Sequence, residues 1–396
     1  MPHVKVAPFD TQSLLSLPQK SQSVTFVAKG LKGEDWLLGV DFEEEHFLLQ
    51  VKPEPQSVLV KYDKVTRPLK VNLLKEALRE VVNTLDTEIL SENITLSKTK
   101  VAMGAEYLKK IEDFEEITFS HQRICVEVGF GSGRHILYQA QKYPDTLFIG
   151  LEIHTPSAQQ LLKQIALQGL DNIWVVNYDA RLFLEMLPSN ACSQIFVHFP
   201  VPWDKKPQRR VISPSFLEES MRVLERGGRL ELRTDSDNYF WYALETFFGT
   251  PKSDVQIRKN ASLEVISKYE ARWRRQEKDI YDVYVTAQEE SPQRHLSPSF
   301  DFGTLHYVEG LEEHISTQSW VEEQFFVHFE RVYLLQTEKG MLIKCAFGSF
   351  DRPEHKYLYL DATKACYFGS TPVKTQVNAL AHLKMIQLLQ EGVENV

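Results

Sequence analysis

The sequence ICVEVGFGSG, residues 124–133, decides the fold of this chain. Its apolar first half predicts a buried strand, and residues 134–142 predict the helix that follows. Between them lie Gly129, Gly131 and Gly133, whose backbone can turn sharply and approach a ligand closely. A glycine-rich turn from a strand into a helix, at the start of an α/β unit, is typical of nucleotide-binding domains.

The spacing of the glycines indicates which nucleotide is bound. Dinucleotide-binding proteins use G-x-G-x-x-G, whereas here the third glycine comes one residue earlier and Arg134 follows it. Glu127 lies close to where a pyrophosphate would bind, which is unfavourable beside phosphates and favourable beside a cationic ligand. A GxGxG turn alone is weakly specific. Together with the acid it favours S-adenosylmethionine, whose methionine part carries an ammonium and a sulfonium.

Further strands are predicted at residues 147–152, 173–177, 195–199 and 229–234, with helices that include 156–168 and 214–224. This alternation predicts a parallel sheet, whose ligands bind beyond the carboxyl ends of the strands. Glu152 ends the second strand, where such domains hold ribose hydroxyls, and a carboxylate accepts two hydroxyl hydrogen bonds. Asp179 follows the third strand, where an adenine amine could donate to it. Solvated acids at strand ends are the alternative, but their ordered recurrence favours a ligand site.

Two basic and aromatic segments indicate the acceptor. FPVPWDKKPQRR, residues 199–210, is stiffened by prolines and carries four cations and Trp203. SKYEARWRRQEK, residues 267–278, could place Arg272, Arg275 and Lys278 on one helix face. Cations pair with phosphates and aromatic rings pack against bases. A basic surface loop and a solvated helix face are the alternatives.

The segments EVGFGSG, GLEIH, NYDA, FPVPWDKKPQRRV, LRTDSDNY and SKYEARW follow one another along the chain. In this order they resemble the tRNA (guanine-N7-)-methyltransferase family, over roughly residues 98–288. The resemblance implies a Rossmann-like class I methyltransferase domain with a central, mostly parallel sheet. It also implies S-adenosyl-L-methionine as the methyl donor and tRNA as the partner, methylated at N7 of the guanine at position 46 in the variable loop.

The resemblance and the glycine turn together assign roles to individual residues. The expected cofactor-binding residues are Glu127, Gly129, Gly131, Gly133, Glu152 and Asp179. The expected substrate-binding residues are Lys205, Asp235, Ser267, Lys268, Tyr269 and Glu270. Ser267 stands where the family more often has Thr, which keeps the hydroxyl.

One position departs from the family pattern. The family usually has P-D-P-W with a catalytic aspartate, whereas this chain has Val201 in that place. Guanine N7 carries a free lone pair and no proton, so methyl transfer needs no general base there, and positioning supplies much of the rate. A carboxylate would still stabilise the cationic product. Asp204 and Asp235 are the candidates for that catalytic role, and we expect an active enzyme.

Two other classes of function stay open. A different S-adenosylmethionine-dependent enzyme, acting on a protein or small molecule, would share the glycine turn and the acids but would not need the basic loop. A non-catalytic tRNA-binding relative would explain Val201, but it would be expected to have lost Glu127, Glu152 and Asp179, which are all present.

Composition bounds the class of protein. No apolar run approaches the length of a membrane span, and the first residues lack the apolar core of a signal peptide. The four cysteines show no C-x-x-C pairing, which predicts a cytoplasmic protein without metal or disulfides. The net charge of -9 disfavours nucleic acid, but residues 205–210 and 268–278 are net basic while 34–45 and 309–323 are acidic. Since binding depends on the local field, the sequence predicts a basic patch on an acidic body.

The length of 396 residues predicts more than one domain. We expect a β-rich N-terminal extension over 1–95, the methyltransferase domain over 96–290 and an α+β C-terminal domain over 303–396. Short strands are predicted at 23–28, 36–40, 46–51 and 57–60 and a helix at 73–90, then strands at 324–336, 340–347, 356–360 and 365–370 and a helix at 376–390. Their mostly acidic or neutral surfaces slightly favour packing or assembly over contact with tRNA. The oligomeric state stays open.

Overall fold

The computed structural model describes residues 2–68, 71–95, 103–115, 117–120, 123–249, 252–261, 278–294, 298–315 and 319–395. The chain divides into two compact units. Val101–Leu296 form one, here called the central unit, while Met1–Lys100 and Ser297–Val396 together form the other, here called the flanking unit.

The secondary structure is named here in chain order. The strands are β1 (His3–Val6), β2 (Val24–Gly30), β3 (Trp36–Phe42), β4 (Glu45–Glu54), β5 (Ser57–Tyr62), β6 (Ile89–Glu92), β7 (Leu108–Lys109), β8 (Arg123–Val128), β9 (Thr146–Leu151), β10 (Ile173–Val176), β11 (Cys192–His198), β12 (Leu224–Thr234), β13 (Ser253–Lys259), β14 (Tyr281–Ala287), β15 (Ser319–Val321), β16 (Phe326–Leu335), β17 (Gly340–Gly348), β18 (Glu354–Asp361) and β19 (Ala365–Tyr367). The α-helices are α1 (Leu17–Lys20), α2 (Val71–Leu85), α3 (Arg134–Lys142), α4 (Thr155–Gln168), α5 (Ala180–Met186), α6 (Pro214–Val223), α7 (Asp237–Phe248), α8 (Leu311–His314) and α9 (Gln376–Glu394).

The central unit is built on a mixed sheet with the strand order β13-β14-β12-β11-β8-β9-β10-β7. Strands β12, β11, β8, β9, β10 and β7 run parallel to one another, while β14 runs against them and pairs antiparallel with both β12 and β13. The predicted central, mostly parallel sheet is therefore present. The antiparallel pairing of β13 and β14 was not predicted. The two strands lie on either side of the basic segment 267–278 in the sequence, and only a helix was predicted in that region.

Two apolar cores cover the faces of this sheet, as the alternation of side chains along a strand requires. Val126 and Val128 of β8 join a core that includes Phe183, Phe216 and Phe247 of α5, α6 and α7. The neighbouring positions face the other core, which lies against α3 and α4; its members include Cys125, Ile136 and Leu161. Glu127 shares that second face, so a carboxylate enters an otherwise apolar layer.

The flanking unit is built on one antiparallel sheet with the order β19-β18-β17-β16-β2-β3-β4-β5-β1-β6, and β15 also pairs with β16. Strand β16 pairs with β2, so that Tyr333 lies opposite Gly30. The expectation of separate N- and C-terminal domains is therefore not confirmed, because the two chain ends complete a single sheet. Strand periodicity predicts that strands form but not which partner each finds across nearly the whole chain.

Helix α2 shows how the sequence pattern sets local structure in this unit. Its buried residues recur at helical spacing: Leu73, Leu74, Ala77, Leu78, Val81 and Val82. All of them except Leu73 pack in one core with the valines of β1, β4 and β5. The helix was predicted to extend to Leu90 but ends at Leu85, because Asp86 has φ of 49° and Ile89–Glu92 pair with β1 as a strand. Among the described residues, no helix is long and apolar enough to cross a bilayer.

Candidate functional site

The glycine turn after β8 has the left-handed backbone that its sequence predicts. Gly129, Gly131 and Gly133 have φ of 69°, 54° and 72°. A Cβ at Gly133 would lie 2.7 Å from Leu161 Cδ1, so this glycine allows α3 to pack against α4. A Cβ at Gly129 would meet nothing within 4 Å, so that part of the turn faces open space. Gly133 is therefore required for helix packing, and Gly129 borders a space that a ligand could occupy.

Glu152 lies across from this turn at the carboxyl end of β9. The Gly131 amide donates to its Oε2 at 3.1 Å, and the His154 amide donates to its Oε1 at 2.9 Å. The side chain is half-buried. Each carboxylate oxygen keeps a lone pair for a further donor, so Glu152 is held in place and can still accept two hydroxyl groups.

Asp179 has a structural partner of its own. It caps the N-terminus of α5, where its Oδ1 accepts from the Arg181 amide at 3.0 Å. The Arg181 guanidinium also pairs with its Oδ2 at 2.7 Å. Because its side chain is 35% exposed, the carboxylate remains open to a ligand beside this ion pair.

Glu127 is buried, and its carboxylate is bound by a histidine from the next helix. His135 Nδ1 donates to Glu127 Oε2 at 2.8 Å. Burial by itself lowers the pKa of His135, but the charges of Glu127 and of Glu231 outweigh it, and the pKa lies above its usual value. His135 therefore favours its charged form beside the expected donor-binding carboxylate.

A second histidine–carboxylate pair adjoins the first. His198 Nε2 lies 3.0 Å from Glu231 Oε1, and the rings of His135 and His198 are 4.5 Å apart. Burial raises the pKa of Glu231, but the hydrogen bond from His198 and its charge outweigh this, so the pKa is lowered. Glu231 was missed from the sequence. It is brought to the site by the strand register, which places Phe196 between Glu127 and Glu231 on neighbouring strands.

The proline-rich loop after β11 is held by one buried arginine. Arg210 donates to the Pro202 carbonyl at 2.8 Å, and its guanidinium lies 3.4 Å from Asp204 Oδ1 and 4.4 Å from the Tyr242 ring centroid. The sequence grouped Arg210 with the cations that face the substrate. The structure buries it, so its role is to hold the loop.

The other cations of the loop are exposed. Lys205, Lys206 and Arg209 all face solvent, and the Arg209 guanidinium lies 5.2 Å from the ring centroid of Trp203. Trp203 has φ of 47°, an uncommon backbone for a residue with a side chain. Val201, at the position of the missing aspartate, is 60% exposed. The loop thus presents an aromatic ring with cations around it.

The two candidate catalytic carboxylates both face a cation. Asp204 is 52% exposed and pairs with Arg210. Asp235 follows β12, is 17% exposed, and its Oδ2 accepts from Lys278 Nζ at 2.9 Å. Lys278 is the last residue of the second basic segment, so Asp235 contacts the C-terminal end of that segment.

The remaining expected substrate residues, Ser267, Lys268, Tyr269 and Glu270, lie outside the described residues, as do Arg272 and Arg275. Within the described ranges, no group of three or more histidine, cysteine, aspartate or glutamate side chains could hold a metal ion. The structure therefore brings together the glycine turn, Glu152 and the Glu127 cluster from neighbouring strands.

Known proteins are similar in sequence to this chain over most of its length. The methyltransferase family model Methyltransf_4 matches residues 121–283. A tRNA (guanine-N(7)-)-methyltransferase of Wolinella succinogenes is 41% identical over 359 residues, which cover 90% of each chain. Another protein of that name, from Campylobacter jejuni subsp. jejuni serotype O:23/36, is 36% identical over 381 residues, covering 95% of this chain and 96% of that one.

Solved structures are more distant. An antibiotic-related methyltransferase is 18% identical and has a TM-score of 0.33, covering 43% of this chain and 96% of that one. The curated relatives, in contrast, match the central and flanking units together at 36–41% identity. This chain therefore belongs to the tRNA (guanine-N(7)-)-methyltransferase family.

Proposed function

We propose that this protein transfers a methyl group from S-adenosyl-L-methionine to N7 of the guanine at position 46 in the tRNA variable loop. The observation that supports this most directly is the pairing of Glu152 with the glycine turn beside the basic loop 199–210. The relatives' names supply the acceptor, and the site chemistry is compatible with it.

The residues at the strand ends fit a donor with a ribose and a cationic tail. Glu152 keeps a free lone pair on each oxygen for the ribose hydroxyls, and the turn at Gly129 leaves open space next to it. Glu127 and Asp179 supply negative charge for the ammonium and the adenine amine. S-adenosylmethionine would bring a methyl group already activated on sulfur, so the protein's own task is positioning.

The acceptor side needs orientation and charge rather than a general base. Lys205, Lys206 and Arg209 are exposed and suited to tRNA phosphates, and Trp203 offers a ring at the same loop. The methylated guanine is cationic, so a carboxylate near it stabilises the transition state. Asp235 is the stronger candidate, because it is less exposed than Asp204 and its charge is less screened.

The test is methyl transfer to a defined tRNA. Purified protein is incubated with S-adenosylmethionine and an unmodified tRNA transcript, and the digested product is analysed by mass spectrometry for N7-methylguanosine. A transcript with adenine at position 46 is the control. Product from the first transcript alone supports the proposal, while donor binding without N7-methylguanosine contradicts it and favours a non-catalytic relative.

The two carboxylates can be separated by kinetics. If Asp235 carries the electrostatic role, Asp235→Asn should lower kcat with a smaller change in KM, because the carboxylate acts in the transition state. Asp204→Asn is the matched control, and we expect it to act mainly on KM through the loop. Equal kcat values for Asp235→Asn and the wild type would remove Asp235 from the mechanism.

A further inference from the structure

The flanking unit contains a groove that lies outside the methyltransferase site. It has a volume of about 550 Å³ and is lined by side chains from both ends of the chain, on β1, β4, β5, β16, β17 and β18. Strands β5 and β18 are not neighbours in the sheet. The Tyr357 hydroxyl nevertheless donates to Asp63 Oδ2 at 3.0 Å, so the sheet bends and brings them together.

The acidic groups in the groove are already occupied. Asp63 accepts from Tyr357. Asp35 does not line the groove, but it contacts two residues that do, since it accepts from the Tyr333 hydroxyl at 3.1 Å and pairs with Arg331. Glu54 pairs with Lys5 at 2.9 Å, and Glu330 pairs with Lys344 at 2.7 Å. Glu54 and Glu330 are therefore paired with cations, and Asp63 is the remaining carboxylate of the lining beside three further lysines. The lining thus carries more positive than negative charge.

The three further lysines are Lys52, Lys61 and Lys64. Lys52 pairs in the ladder with Leu59, and Lys61 pairs with Gln50, so the two lysines lie diagonally on the same face of β4 and β5. Lys64 follows two residues after the end of β5. Within the described part of the chain, none of the three lies within ion-pairing distance of a carboxylate.

The lysines are close enough to affect one another. Partial burial lowers the pKa of Lys61, and the charges of Lys52 and Lys64 lower it further, while the smaller effect of the Asp63 charge opposes them. Such repulsion is relieved when an anion binds between the cations. The cluster therefore has the electrostatics of an anion site.

We propose that this groove binds phosphates of the tRNA backbone and forms a second tRNA contact, on the flanking unit. That the polyanion is tRNA rests on the proposed function. Lysine ammonium groups bind phosphates as point charges, which gives affinity without sequence preference. The net charge of -9 repels tRNA overall, so binding requires local cationic surfaces such as this one.

The same residues suit a protein partner less well. Lysine is depleted in protein–protein interfaces, whose binding energy comes largely from buried aromatic and arginine anchors. The tyrosines of the groove, Tyr333 and Tyr357, are fully buried and hold the aspartates. The sequence slightly favoured assembly as the role of the flanking segments, and the groove favours RNA instead.

The test compares two triple variants of the full-length protein. The groove variant is Lys52→Ala/Lys61→Ala/Lys64→Ala. The control, Lys20→Ala/Lys339→Ala/Lys364→Ala, removes the same charge at exposed lysines of the flanking unit that do not line the groove. Binding of an unmodified tRNA transcript is measured by fluorescence anisotropy at several salt concentrations. Donor binding by calorimetry checks that both variants are folded.

We expect the groove variant to bind tRNA on the order of tenfold more weakly at low salt. Its plot of log affinity against log salt should be less steep by about 2 to 3, because about 0.7 to 0.9 counterions are released per phosphate contact. The control should keep most of the wild-type affinity and slope. Affinity and slope that are the same in the groove variant and the control would overturn the proposal, and an acidic protein would then be the better occupant.

These readouts need no methyl transfer, so the two proposals can fail separately. Groove-dependent tRNA binding without N7-methylguanosine would contradict the proposed activity alone. Formation of N7-methylguanosine together with unaltered tRNA binding by the groove variant would contradict the groove proposal alone.

Discussion

Replacing Glu152 by glutamine tests the donor site most directly. The carboxylate accepts one backbone amide on each oxygen, from Gly131 at 3.1 Å and from His154 at 2.9 Å. Glutamine keeps the shape but removes the charge and one acceptor. Its NH₂ group must then face one of the two amides, donor against donor, or turn away and release the glycine turn.

The magnitude follows from the hydrogen bonds that are lost. A bond to a charged group contributes about 1.5–3 kcal/mol, and a neutral one contributes about 1 kcal/mol. Each of the two ribose hydroxyls therefore loses about 0.5–1 kcal/mol, or about 1–2 kcal/mol in total, since Glu152 is half-buried and the lower part of the range applies. This corresponds to a roughly 5- to 30-fold higher Kd for S-adenosylmethionine.

The assay is calorimetric titration of the donor into the wild type, Glu152→Gln and the control Glu218→Gln. Glu218 is exposed on α6, so its substitution removes the same charge from the surface. Thermal unfolding of each variant reports any loss of fold. If the Kd of Glu152→Gln stays within about twofold of the control, the carboxylate does not hold the ribose and the reasoning is refuted.

Three further predictions concern stability and the loop. Because the pKa of His135 is raised in the folded state, its pair with Glu127 stabilises the protein fully below about pH 6.5, and this stabilisation is lost as pH rises through the folded pKa. In urea unfolding, His135→Gln should therefore lose less stability than the wild type as pH rises through that range. The same pH profile for both proteins would contradict this. Gly133→Ala should cost roughly 1–3 kcal/mol of unfolding free energy, from its positive φ and the approach to Leu161; Gly129→Ala has a similar φ but open space, so it should cost less, and equal costs would refute the packing argument. Arg210→Lys should raise KM for tRNA about tenfold with little change in donor Kd, because lysine cannot make the same set of contacts to Pro202, Asp204 and Tyr242; unchanged KM would show that the loop is held by other contacts.

Much of the central unit could be predicted from local sequence. The strands that begin near Ile124, Leu147 and Ile173 and the helices between them were expected where the structure has them. Apolar runs, glycine turns and capping residues act over a few positions, so local patterns carry that information. The same patterns placed Glu152 opposite the glycine turn, because the ends of neighbouring parallel strands meet at one edge of the sheet.

Other features of the site depended on contacts that no local pattern encodes. Arg210 looked like a substrate-facing cation and is a buried loop anchor. Glu231 gave no signal, because its partner His198 lies on a neighbouring strand. The sequence does not distinguish a charged side chain that faces solvent from one that is buried against a partner, because the two differ only in their tertiary contacts.

The sequence by itself determined the local elements, the glycine turn with its acids, and the resemblance to the family. Only the tertiary structure decided that both chain ends complete one sheet, through the pairing of β2 with β16, and that this sheet carries a lysine groove. The physical reason is that helix and turn formation depend on neighbouring residues, whereas strand pairing and charge clustering depend on which distant segments meet when the core is buried.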